Sequence, residues 1–167
     1  PSDALKPEFA NALATAFGKG TLPGDLDGFG PKARAEAANF AMGALATRKG
    51  HGPSLVIDTL AAPDGRRQMR LAVANPDMPF LVDSVAAVIA AHGLVIERLL
   101  HPVLAMERDS TGHLTALGKG KRESLIYVET ERADARTRAD IRTTMLANLG
   151  HVHDAVADWD ALKTAIA

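Results

Sequence analysis

Apolar residues recur every four positions at the start of the chain, where Leu5, Phe9, Leu13 and Phe17 fall on one stripe of a helix predicted over residues 3 to 17. The following GKGTLPGDLDGFGPK is too rich in glycine and proline for either period, which predicts a loop. Pro31 suits a first helical turn, and the alanine-rich PKARAEAANFAMGALAT predicts a second helix over 31–47. From Ser54 the period becomes that of a strand. SLVIDTL and QMRLAVAN, separated by a Pro63-Asp64-Gly65 turn, predict a hairpin. Leu81, Val85, Val88 and Ile89 restore the helical spacing over about 80–92, and Gly93 suits a left-handed cap. LVIERLLHPVLAMER reads as a long strand interrupted at Pro102, residues 109–122 as a mobile connection, and SLIYVETE as the last strand. Ile141, Met145 and Leu149 then open a helical stripe that Val152, Val156, Trp159, Leu162 and Ile166 continue, with Gly150 leaving open whether 150–166 adds to that helix or forms a second one.

The order is therefore αα followed by ββαββα, with residues 1–50 as an N-terminal helical segment and 51–167 as an α+β domain. Two helices among four strands cover one face of a mainly antiparallel sheet, a two-layer sandwich. The element order is that of a ferredoxin-like sheet with its final strand moved to the front. The other sheet face is left to water or to a partner.

Composition removes several classes of function. Lys and Arg number 19 against 20 Asp and Glu, so no excess of positive charge favours nucleic acid. Zero cysteines exclude disulfides and thiolate chemistry, and no apolar run reaches the ~20 residues of a membrane span. A cytoplasmic location is expected. The chain opens on Pro1 without the pattern of a secretion signal, as expected for a piece of a longer protein or a processed chain.

The stretch NPDMPFLVDSV is the main candidate site. Asp77 or a neighbour is expected to satisfy free amides at the helix start, Pro79 to fit its first turn and Asp83 to favour its dipole. The same helix start would accept an anionic ligand, which makes Asn75, Asp77, Met78, Phe80, Asp83 and Ser84, with His101 on the next strand, the candidate ligand-binding residues. HVHD at 151–154 is the densest histidine cluster, but on a helix positions 151 and 153 point about 200° apart. No metal is expected there. GKGT at 18–21 and GKGK at 118–121 do not complete a phosphate loop, no G-x-G-x-x-G follows a strand, and no G-x-S-x-G elbow is present. No catalytic residue is assigned, and an independent enzyme built on the histidines and carboxylates is the remotest reading.

Asp77, Met78, Pro79, Phe80, Leu81 and Val82, followed by Gly93 and Ile96, resemble the D-x-P-G-L-L signature of ACT domains, the amino-acid-sensing modules of metabolic enzymes. Taken in order, DMPFLVDSV, LHPVL, RDSTGH, ESLIYVE and AVADWDAL are similar to the N-terminal region of the large bacterial NAD-specific glutamate dehydrogenases over about residues 68–166. That resemblance implies an ACT-like regulatory or assembly portion of a longer enzyme that deaminates glutamate to 2-oxoglutarate. NAD would bind a separate catalytic domain, and no cofactor would bind here. The implied partners are other domains and subunits of a homo-oligomer, contacted through the uncovered sheet face or an edge strand, with an amino-acid effector as the alternative. Where ligand-binding ACT domains have glycine, this sequence has Phe80, whose ring is expected to close the amino-acid pocket.

Overall fold

The structure, a computed structural model, describes residues 7–19 and 23–166. Leu5 and the expected first turn of the opening helix lie outside the described residues, as do Gly20 and Thr21 of the GKGT run. Helix α1 (Pro7–Gly18) buries Phe9, Leu13 and Phe17, the predicted stripe. A 3₁₀ turn at Pro23–Leu26 leads to α2 (Pro31–Leu45), which starts on a proline and buries Ala37, Ala38, Ala41, Met42, Ala44 and Leu45. That small-residue face lets α2 lie close to the sheet.

Strands β1 (Ser54–Ala61) and β2 (Arg67–Pro76) form the expected antiparallel hairpin. Helix α3 (Leu81–Ala91) follows and stops at Gly93, whose φ of 72° places it in the left-handed cap conformation. The long apolar run is broken at 101–102 into β3 (Ile96–Leu100) and β4 (Val103–Arg108), and both halves pair with β6 (Lys121–Glu131). Proline explains the break, since Pro102 has no N–H for a ladder.

Between β4 and β6 the structure corrects the expected mobile connection. Residues Leu114–Leu117 form β5 on the outer edge of β4, and β6 begins three residues before the predicted SLIYVETE. Leu114 is buried, and one buried side chain in an otherwise polar, glycine-rich stretch gives too little periodicity to mark a strand. The sheet thus has six strands rather than four, in the order β1-β2-β6-β4-β5 with β3 beside β6.

The α+β, ferredoxin-like class holds. Strands β2 and β3 are both antiparallel to β6 and so parallel to one another, joined by α3 with β6 between them, a split βαβ unit. Strand β1 flanks β2 where the final strand of a ferredoxin-like sheet would lie.

Helix α4 (Ala135–Ile166) is one continuous helix of 32 residues, which settles the question at Gly150. With α3 it covers one sheet face, where Leu71, Val73, Ile126 and Val128 meet Val85, Ile89, Ile141 and Met145. The opposite face is not left to water. Ala72, Ala74, Leu125 and Tyr127 lie under α1 and α2 in a second core cluster, so the expectation of an uncovered sheet face is overturned. The reason lies in β6, whose residues Glu123 to Thr130 are all buried, as a strand covered on both faces requires.

Candidate functional site

The turn between β2 and α3 brings three of the predicted residues together through one that was not predicted. Asn75 pairs in register with Ser124 across the β2–β6 ladder. Ser124, fully buried, donates its hydroxyl proton to Asp77 Oδ1 at 2.9 Å and lies 3.0 Å from His101 Nε2. Because that one proton goes to Asp77, the serine oxygen accepts from His101, fixing the Nε2–H tautomer. Burial pushes the His101 pKa below its ordinary value, against the upward pull of Asp77, so the ring is neutral at neutral pH. The direction of donation, histidine to serine to aspartate, is the reverse of a nucleophilic triad, in which serine donates to histidine. The network positions groups and does not activate a nucleophile.

Asn75 is almost fully buried. Its Nδ2 donates to the Pro76 carbonyl at 3.0 Å, while its Oδ1 is buried with no hydrogen-bond partner. Asp77 is exposed and also sits 3.5 Å from Arg122. Met78 packs against the α3–α4 core rather than joining the polar network. Asp83 stands exposed in the first turn of α3, and Ser84 gives its backbone N–H to the Phe80 carbonyl. No side chain caps α3, so the expected capping by Asp77 or a neighbour is not found; Asp77 is committed to Ser124 instead.

Phe80 adopts φ 69°, the left-handed region where a glycine would be unstrained. Its side chain is 68% exposed, so the ring faces solvent and fills no space beneath the turn. The expectation of a ring closing the pocket from within does not match this placement.

A second constellation, invisible in the sequence pattern, lies under the β4–β5 hairpin. Glu123 is held by two arginines: Arg48 donates through Nε and Nη2 at 3.1 and 2.8 Å, and Arg108 through the same pair of atoms at 2.8 and 2.9 Å. Arg48 Nη1 also donates to the carbonyls of Gly50 and Gly52, and Arg108 Nη1 to those of Leu45 and Gly112. Burial would raise the Glu123 pKa, but the hydrogen bonds and charges of Arg108 and Arg48 prevail and hold it at about 2. The three residues tie the end of α2, the β4–β5 hairpin and β6 together. Partners 75 positions apart in the chain leave no local signal, which is why sequence reasoning missed them.

The remaining candidates are dispersed. His151 and His153 sit on continuous helix and point apart, and the His153 ring stacks on His51 at 5.6 Å. Among the described residues no three histidines, aspartates or glutamates gather with metal-binding spacing, and no helix is long and apolar enough to cross a membrane. Gly28 and Gly30 open α2 but follow a 3₁₀ turn, and Gly118 and Gly120 open a strand rather than a helix. Neither fits the strand-to-helix cradle of a nicotinamide dinucleotide.

Residues 20–145 match the family described as "Glutamate dehydrogenase, ACT1 domain". Two NAD-specific glutamate dehydrogenases are similar to the chain: that of Halomonas elongata is 33% identical over 101 residues, covering 56% of this chain, and that of Pseudomonas aeruginosa is 36% identical over 99 residues, covering 54%. In each case the match spans 6% of the relative's length. With three quarters of the chain inside the family match, across a split βαβ sheet that carries the Asp77-to-Val82 turn, this chain belongs to the glutamate dehydrogenase ACT1 domain family.

Proposed function

We propose that the chain is a non-catalytic regulatory and assembly domain of a large NAD-dependent glutamate dehydrogenase. Oxidative deamination of L-glutamate to 2-oxoglutarate, and the NAD it requires, belong to another part of that enzyme. The observation that carries the assembly role is the outer half of α4. The face that buries Ile141, Met145 and Leu149 continues through Val152, Val156, Trp159, Leu162 and Ile166 within a stripe of about 140°. Val152 and Val156 on it are still half-buried, beside the His51–His153 stack, but from Ala157 onward every described residue of α4 is exposed, Trp159, Leu162 and Ile166 included. With both sheet faces occupied, this stripe and the β1 edge replace the sheet face as the contact surface for neighbouring domains and subunits. Substituting Trp159→Asp and Ile166→Asp in the parent enzyme is expected to release subunits or expose the domain to protease, read by light scattering and limited proteolysis. Unchanged mass and unchanged cleavage would overturn the assembly role.

A second reading, an amino-acid sensor at the 75–84 turn, is favoured by one observation: the buried, unpartnered Asn75 Oδ1 beside Asp77 and His101. A ligand ammonium would supply the missing donor, and the first amides of α3 would take its carboxylate. An amino acid at a hundred times its Kd would stabilise the domain by about 2.7 kcal/mol, a shift of several degrees in Tm. A flat response across glutamate, other amino acids and 2-oxoglutarate removes this reading.

A further inference from the structure

A groove of about 890 Å³ opens between the α2–β1 loop, the β4–β5 hairpin and the start of β6, with Pro76 at the end of β2 on its rim. Five cationic side chains line it, Arg48, Lys49, Arg108, Lys121 and Arg122, in a chain whose formal net charge is −1. Its three carboxylates are already engaged. Glu123 is held by Arg48 and Arg108; Glu107 lies 3.6 Å from Lys119; Asp109 accepts from Thr111 and from the backbone of Thr111 and His113. Lys49 and Lys121 have no ion-pair partner among the described residues, and Arg122 reaches only the exposed Asp77 at 3.5 Å. The walls are fixed before any ligand arrives. Arg48 ties Gly50 and Gly52 into one wall, and Gly120, at φ 102°, lies where a Cβ would collide with the Met106 carbonyl.

The contrast with a second large cavity, between α2, the β1–β2 turn and β3, is informative. There Arg66, Arg70 and Arg98 each face a carboxylate, Glu97, Asp58 and Glu129, at 2.6 to 2.9 Å. That cavity has no cationic excess to offer. We infer that the groove beside Lys49, Lys121 and Arg122 binds a compact polyanion, a small molecule bearing two or more negative charges on phosphoryl or carboxylate groups. Its size suits a small-molecule ligand, and concave positive walls concentrate anions. The lysines act as point charges, while Arg48 and Arg108 are structural and shape the floor.

The test is calorimetric titration of the 167-residue chain with pyrophosphate and with citrate, at ionic strength held constant with sodium chloride. Saturable binding near one equivalent is expected, weakened at least tenfold by Lys121→Glu and by Lys49→Glu, and little changed by Lys32→Glu at the start of α2. Both groove lysines are exposed, so circular dichroism should report an intact fold in each variant. Tighter binding of pyrophosphate assigns the groove to phosphoryl groups, and tighter binding of citrate to carboxylates. Heats that do not saturate, or equal losses in all three variants, would reduce the effect to general charge screening and overturn the proposal.

Discussion

Glu123 holds two guanidiniums in a place with almost no water, and its loss would leave both without compensation. Glu123→Gln is therefore expected to cost about 3–5 kcal/mol, measured as a fall in the urea midpoint. The pH dependence has a definite sign. The folded pKa of about 2 lies below the ordinary 4.5, so the stabilisation is fully present above pH 4.5 and is lost as pH falls from there toward 2. Its size is about 3 kcal/mol from the shift. Stability of the Glu123→Gln variant should vary less over that window; an equally steep loss would place the acid sensitivity elsewhere. At Phe80 the strain belongs to the backbone. Phe80→Gly should be more stable than Phe80→Ala by roughly 0.5–1 kcal/mol, because only glycine occupies the left-handed region freely. Equal Tm values for the two variants would mean the turn relaxes.

At the scale of elements, α4 joins a buried half to an exposed one. Met145→Ala, at a fully buried position, should cost about 2–5 kcal/mol, whereas truncation after Asp154 should change the unfolding free energy by less than about 1 kcal/mol. A large loss on truncation would mean that the outer half supports the core. The elements differed in how legible they were. The Phe9-Leu13-Phe17 and Val85-Val88-Ile89 stripes announced α1 and α3 because each buries a single face. Pro102 announced the β3–β4 break because its chemistry forbids the ladder. Strand β5 was hidden because four residues at an edge, with one buried side chain, carry too short a pattern. The turn at 75–84 was legible from its proline and acids. Ser124, the residue that connects Asn75, Asp77 and His101, was not, since it depends on a register 47 positions away from Asp77.

At the scale of the molecule, two helices among four strands suggested a sheet covered on one face only, and the structure instead closes both faces with two pairs of helices. With both faces closed, the proposed contact surface is the outer half of α4 rather than the sheet. The most direct measurement of the proposed role is hydrogen exchange across residues 150–166, in the isolated chain and in the parent enzyme. The end of α4, exposed from Ala157 onward, has no packed face and frays, so the amides of 157–166 should exchange quickly in isolation and at least about tenfold more slowly once a neighbouring domain covers the Trp159 stripe. Equal, fast exchange in both would contradict assembly through α4.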